Sequence, residues 1–410
     1  MAAVAGLRGT GDWGTDERPK NFRELILWRN PNGSAPLFAL TARIASESVN
    51  DPEFNWWDEP NDLIRLQLND PTDMSAVDTD VVVDSPDPDA ANPGRPYGLA
   101  THLKVGDLLM VETAAEAAVF GNEIVQVDAI TSATAFSIVR GVAGSTAAII
   151  LDDAFFLKLG SAFAEGTAAA DAVSRNPIKY NNLCQIFKSS YEVTKTAEKT
   201  HARTGDAVAN DKKRKVFDHS RDIELSFMFG QKFETTGANG KPLRYMGGLR
   251  EFIPQDTTTI FSAATTLTQY MNAVSPVFDW DTTAGDERIV FCGNGYLNSL
   301  NDLAALSGQV RFTDVIKVFG MNLRRFVLPQ GQLFLRTHPL MNRHAQYQNS
   351  AFIIDFSALK YRHLRDTFAE DNIQLPGDDA RKGQWLSEIS LEVRHGGLSC
   401  GYHGNLTTVA

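Results

Sequence analysis

The hydrophobic and polar positions of this chain fall into segments of different period. Residues 51–59, carrying Phe54, Trp56 and Trp57, read as an extended segment. Its natural continuation, residues 181–187 and then 191–194, appears more than a hundred residues later. Between the two lie strand-sized apolar runs at 105–111, 123–127, 136–140 and 154–159, separated by Gly, Asp and Thr. Such runs predict a small β-barrel or sandwich of about sixty residues inserted into a hairpin. Residues 73–100, with six aspartates, four prolines and one arginine, read as a linker, and 160–175 as an Ala-rich return connector.

Behind the hairpin the period changes. Residues 197–232 contain no proline, and only Gly205 and Gly230 interrupt them. Val216, Ile223, Phe227 and Gly230 follow at helical spacings, which predicts a helix of roughly 50 Å, or a shorter one if Gly205 breaks its start. Farther on, short helices at 267–273 and 294–306 alternate with strands at 288–292, 310–312, 315–319, 325–328, 333–336, 352–355 and 385–394, an α+β arrangement. At the other end, 1–50 holds Pro19, Pro31 and Pro36 with apolar runs at 25–28 and 37–40. It reads either as an arm with anchor points or as one helix packed on the main body.

The chain thus divides into an arm (1–50), an extended hairpin (51–72 and 176–194), an acidic linker with an inserted β-barrel (73–175), a long helix (195–234) and an α+β region (235–410). At 410 residues several structural units are expected. Hydrophobic residues make up 43% and charged residues 22%, an ordinary globular balance, and no apolar run is long enough to predict a membrane span. The first sixteen residues lack the basic start and apolar core of a signal peptide. Three widely spaced cysteines argue against a disulfide framework. A net charge of −11 argues against a surface that binds nucleic acid throughout.

Candidate chemistry is sparse. His395, Cys400 and His403 have the residue types of a zinc site but lack a fourth ligand, and strand and loop geometry would turn them in different directions. Gly293-Asn294-Gly295 begins like a dinucleotide fingerprint, yet Asn298 stands where the third glycine belongs; a helix cap by Asn294 is the alternative. No phosphate-loop, nucleophile-elbow or paired-histidine metalloprotease motif occurs. Lys212, Lys213, Arg214 and Lys215 sit in a stretch, 195–221, with eight basic and four acidic side chains. They read as a stripe facing a partner or DNA, or as a solvated helix face. The loop at 235–241 reads as a contact loop.

The ordered set resembles the major capsid proteins of tailed bacteriophages, whose shell fold is shared with the herpesvirus capsid floor. It is most similar to the branch with a β-barrel inserted in the extended loop. Phe54-Asn55-Trp56-Trp57 with Asp58-Glu59 resembles the ascending strand of that loop, and 181–187 with 193–196 the descending one. Glu123 to Val127, Val139-Arg140-Gly141 and Gly144-Ser145-Thr146 resemble the insert. Phe352 to Asp355, Leu359 to Arg362 and Leu391 to Arg394 are similar to the C-terminal region.

The resemblance implies a spine helix with peripheral and axial domains, and pentamers and hexamers of this chain tiling an icosahedral shell around double-stranded DNA without sequence-specific contacts. It implies that arm and loop lie on neighbouring subunits, with Phe38, Phe54, Trp56 and Trp57 as inter-subunit contacts. No enzymatic activity, metal, cofactor or membrane partner is implied. Scaffold, portal and decoration proteins are the implied further partners, and the virion capsid, assembled in the host cytoplasm, is the implied location. A phage tail or baseplate protein is the alternative, on the strength of the β-insert. An enzyme acting on carbohydrate is a third reading for which no catalytic constellation is found.

Overall fold

The structure, a computed structural model, describes residues 35–44, 46–59, 64–69, 72–84, 99–112, 122–168, 170–174, 176–202, 204–306, 312–318 and 321–407. The expected arm segment 1–34, with its apolar run at 25–28, and the middle of the acidic stretch, 85–98, lie outside the described residues.

The insert is a closed barrel. Its strands are Arg65–Gln67, Asp80–Val82, Asp107–Glu112, Ile124–Ile130, Ala135–Val139 and Phe155–Ser161, all paired antiparallel. The two end strands meet through a bridge between Leu68 and Val83, with Asn69 N–H donating to the Val82 carbonyl (2.9 Å) and Asp84 N–H to the Gln67 carbonyl (3.0 Å). Among the described residues each barrel strand thereby has a neighbour on both sides, which removes the sheet's free edges. Alternation then fills the inside: Leu66, Val81, Leu109, Val111, Val125, Val127, Phe136, Ile138 and Phe156 form one apolar cluster. Two boundaries change as a result. Arg65–Gln67 belongs to the barrel and not to the hairpin, and the acidic stretch from residue 73 supplies a barrel strand as well as a connection.

Buried charges pin this barrel. Arg140 donates through Nε to Glu123 Oε1 (2.7 Å) and through Nη2 to Oε2 (2.6 Å). Its Nη1 reaches the Ser75 carbonyl (2.8 Å), and Gly141 and Ala148 N–H donate back to the same carboxylate. One ion pair therefore ties three loops together. Burial works against the charged Glu123 carboxylate, but the guanidinium and the two backbone donors outweigh it and hold its pKa below the usual range.

The torn hairpin closes as Glu53–Asp58 against Ile178–Leu183, with Phe54 opposite Asn182 and Trp56 opposite Tyr180. The chain then turns away at Cys184. Gln185–Thr194 pairs with Ala380–Val393, which pairs with Leu359–Asp371, and that strand carries Ser46–Ser48 in parallel on its edge. Residues 185–187 and 191–194 therefore belong to this four-stranded sheet and not to the hairpin.

The expected helix over 195–234 is two helices, Lys195–Lys199 and Ala207–Phe229. Gly205 at φ +88° leaves the helical region, and Asp206 caps the second helix by accepting from Val208 N–H (2.9 Å). At 23 residues the second helix is about 35 Å long. It lies on the four-stranded sheet, burying Ile223, Phe227 and Met228, and His219 bridges Ser189 and Ser387 on two of the strands. Burial lowers the His219 pKa, consistent with a neutral ring between two hydroxyls.

A seven-stranded mixed sheet forms the remaining body, in the order Thr258–Ile260, Gly401–Gly404, Ala351–Ile354, Glu287–Cys292, Gln332–Thr337, Met321–Val327, Phe312–Val318. Its faces separate two cores by strand alternation. Val290, Cys292, Ile353, Leu333 and Leu335 pack under the helices Leu267–Val274 and Asn294–Leu306. Phe291, Phe352 and Ile354 join the core shared with the long helix. Strands and helices are segregated as expected, and the class is α+β.

Candidate assembly surfaces

The four expected inter-subunit anchors separate once the pairing is known. Phe54 and Trp56 are only 8% and 7% exposed. Their rings stack on each other (centroids 5.8 Å apart), and Trp56 also contacts Tyr180 and Phe252 of the same chain. The alternation of the strand turns both side chains inward. Phe38 packs on Phe227 and Tyr361. These three rings pack within their own chain, Phe54 and Trp56 almost completely and Phe38 partly, while the buried Trp56 Nε1 has no hydrogen-bond partner. Trp57, one position on, faces outward and is 62% exposed. Trp56→Ala is accordingly expected to destabilise the fold by about 3–5 kcal/mol, measured as a lowered denaturation midpoint; an unchanged midpoint would remove Trp56 from the core.

The hairpin base is fastened by Asn182, which is fully buried. Its Nδ2 donates to the Gly247 and Leu391 carbonyls (3.0 and 2.7 Å), and its Oδ1 accepts from Gly247 N–H (2.8 Å). Asp58 Oδ2 accepts from Gly396 N–H (2.8 Å). The hairpin thus presents one face to its own body and the opposite face, with Trp57, to the outside.

The segment 36–44 is a helix, Pro36–Ile44, rather than an extended arm. The carboxylate of Glu224, wholly buried in the long helix, accepts from Leu37 N–H (2.9 Å), Phe38 N–H (2.7 Å) and His338 Nε2 (2.8 Å). Because His338 Nδ1 accepts from Leu340 N–H (3.2 Å), the ring proton sits on Nε2 and is donated to Glu224. One carboxylate caps the helix and ties it to two distant elements.

Sequence reading missed a second exposed surface. The strands Phe233–Thr236 and Pro242–Tyr245 pair as an antiparallel hairpin around the predicted contact loop. Phe233, Thr235, Leu243 and Tyr245 share one face by register, and the three apolar residues are exposed, Phe233 to 61%. Glu234 and Arg244 form an ion pair on the other face (2.9 Å). A two-stranded hairpin gains little stability alone in water, and an exposed aromatic patch is the usual mark of an interaction surface. The available signal was the alternation on both sides of the glycine-containing turn.

The basic run does not form a single stripe. Lys212, Lys213, Arg214 and Lys215 occupy consecutive helical positions about 100° apart, so they point to different sides. Lys212 Nζ bonds both oxygens of Asp371 (2.9 and 2.7 Å), and its carbonyl accepts from Trp385 Nε1 (3.2 Å). Arg214 pairs with Asp211 (3.2 Å) on the exposed side.

The other candidate motifs have local explanations. His403 lies buried with Nδ1 2.9 Å from the Tyr296 hydroxyl and Nε2 near the Ala273 carbonyl; burial pushes its pKa down to about 4. Burial pushes the Cys400 thiol up to about 12, and His395 stands on the surface, so the three do not converge. Among the described residues no group of three or more His, Cys, Asp or Glu is arranged to hold a metal ion. A Cβ on Gly293 would come 2.1 Å from the Gln348 carbonyl oxygen, and one on Gly295 would come 1.9 Å from Asn349 Oδ1. These glycines admit a neighbouring turn. The acceptor at the helix start is Asn342 Oδ1, which takes the Asn294 N–H (2.6 Å), instead of the Asn294 side chain.

Among known proteins, the sequence matches the SU10 major capsid protein family over residues 8–405. The major capsid protein of Pseudomonas phage PaMx41 is 24% identical over 418 residues, covering 96% of this chain and 94% of its own. Solved structures resemble it more distantly. The capsid of a native GTA particle gives a TM-score of 0.43 at 7% identity, covering 95% of this chain and 96% of its own. The SrpI encapsulin of Synechococcus elongatus PCC 7942 gives 0.41 at 8% identity, covering 59% and 79%. With its sequence matched almost end to end, the chain belongs to the SU10 major capsid protein family and serves as a phage major capsid protein, associating with copies of itself to form the shell of the virion.

Proposed function

We propose that copies of this chain assemble as pentamers and hexamers into an icosahedral shell enclosing double-stranded DNA, and that Trp57 and the apolar face of the Phe233–Tyr245 hairpin are contacts between subunits. The observation that carries this reading is the division of labour among the aromatic residues. Phe54 and Trp56 are buried in the chain's own core and Phe38 packs against it, while Trp57, Phe233, Leu243 and Tyr245 stay exposed on elements that the core holds in place. The hairpin 53–58/178–183 with its barrel acts as the extended loop, the helix Ala207–Phe229 as the spine, and the seven-stranded sheet and its helices as the axial part. The role is structural and not enzymatic, and the acidic net charge suits enclosure of DNA without sequence-specific contacts. Assembly takes place in the host cytoplasm, with scaffold, portal and decoration proteins as further partners.

Shell contacts multiply, so a modest loss at each contact has a large effect on assembly. Trp57→Ala is expected to shift stability by no more than about 0.5 kcal/mol while reducing particle yield strongly. The check is electron microscopy of the expressed chain, with scaffold supplied where the native chain needs it, beside a thermal melt. Full particle yield from the variant would remove Trp57 from the interface, and tubes of fixed rotational symmetry from the native chain would favour a tail component.

A further inference from the structure

We infer that Asn239-Gly240, at the tip of the exposed hairpin Phe233–Tyr245, is a self-modification site. The Gly240 amide nitrogen displaces ammonia from the Asn239 side chain, and the backbone isomer that follows disables the hairpin as a subunit contact. The loss of contact rests on the role proposed above for this hairpin; the modification rests on the loop alone.

The loop brings the two reacting groups together. Asn239 Oδ1 accepts from Lys241 N–H (3.1 Å), an Asx turn that folds the carboxamide back over the Gly240 peptide unit. The same hydrogen bond draws electrons from the carboxamide carbon and makes it a better electrophile. Both residues are exposed. Gly240 lies at φ +71°, where even an added Cβ would meet no packed heavy atom within 4 Å, so that side of the peptide is open. The restraint is the bond from Gly240 N–H to the Gly237 carbonyl (2.9 Å). It closes a sheet of two strands only, whose local opening costs little. Asn294-Gly295 is the same dipeptide in a closed setting: it starts the helix Asn294–Leu306, Asn342 holds the Asn294 N–H, and Gly295 is packed against Asn349.

As the Gly240 nitrogen bonds to Asn239 Cγ, the Cγ–Nδ2 bond breaks and the Gly240 proton leaves with that nitrogen as ammonia, which closes a cyclic imide. Water then opens the ring at either carbonyl. One product is Asp, which keeps the normal backbone and still accepts from Lys241 N–H. The other is iso-Asp, in which the main chain runs through the side-chain carbon and gains a methylene. That methylene falls between Gly237 and Lys241, whose N–H to carbonyl bond (2.8 Å) closes the turn. Turn length sets strand register. The iso form therefore loses the alignment of Phe233 with Tyr245 and of Thr235 with Leu243, on which the exposed apolar face depends.

The test ages the full-length chain in mildly alkaline buffer, maps its peptides by mass and labels iso-Asp with an isoaspartyl methyltransferase. Position 239 is expected to convert about tenfold faster than 294, because an isolated hairpin opens at lower cost than a packed helix start, with iso-Asp exceeding Asp. Particle yield, read by electron microscopy, is expected to fall with age in the native chain. It should hold in aged Asn239→Gln, whose longer side chain closes the ring far more slowly, and in fresh Asn239→Asp, which keeps the normal backbone. The Gln variant also separates this site from Asn32-Gly33, which ages alike in both chains. Conversion at 239 no faster than at 294 would overturn the site. Conversion with an unchanged particle yield, or an equal loss in Asn239→Gln, would overturn its link to assembly.

Discussion

Replacing Glu224 with alanine will release the helix Pro36–Ile44 from the body of the protein and destabilise the fold by about 3–5 kcal/mol. The carboxylate accepts three hydrogen bonds in a site of zero exposure, from Leu37, Phe38 and His338. Alanine leaves all three donors unpaired among Phe227, Tyr361 and Phe291, and each buried unsatisfied donor costs about 1–3 kcal/mol. Glu224→Gln keeps the shape but turns an NH2 group toward one of the three donors, so it should recover only part of the loss. Hydrogen exchange resolved by peptide separates local from global effects. Residues 36–44 should lose protection in Glu224→Ala while the barrel peptides keep theirs. Unchanged protection at 36–44 would mean that the apolar contacts of Leu37 and Leu40 suffice to hold the helix.

The second large effect is expected in the barrel. Arg140→Ala removes the cation that pairs with Glu123, whose side chain is 3% exposed, and also cuts the contact to the Ser75 carbonyl. A buried charge left without its partner costs about 3–5 kcal/mol, enough to unfold a small six-stranded unit with a core of this size. Barrel peptides should exchange freely in this variant while the long helix Ala207–Phe229 stays protected. Glu123→Gln with Arg140→Met, which removes both charges, should restore much of the stability. The same pair gives a pH dependence. The folded Glu123 pKa is lowered, so its stabilising contribution is complete above the unfolded carboxylate value of about 4.3 and is lost as pH falls through the lower folded value. Barrel protection should therefore fail in acid before it fails near neutrality. A barrel equally stable on both sides of that window would contradict the assigned role of Glu123.

Periodicity within one segment was enough for several elements. The helix Asn294–Leu306 matches the sequence expectation, and the long barrel strands, the helical stripe of Ile223 and Phe227 and the α+β class were all readable, because a local apolar repeat already states which face is buried. The barrel strands Arg65–Gln67 and Asp80–Val82 escaped because three residues carry no period; their partners are fixed only when the sheet closes on itself. The break before Ala207 was visible as Gly205, yet only the Asp206 cap decides that the helix starts there.

The sequence alone determined that a β-module interrupts a hairpin, that a charged helix follows, and that residues 51–59 carry aromatic side chains out of proportion to a small element. It did not determine which of Trp56 and Trp57 faces inward, because a strand shifted by one residue exchanges its two faces. That choice came from pairing with Ile178–Leu183, across more than a hundred residues. Nor did local sequence mark Glu224, an acidic residue in a charged helix, as a buried one. Its donors lie 187 residues earlier and 114 residues later, and only the folded chain brings enough of them together to offset the loss of water around a carboxylate.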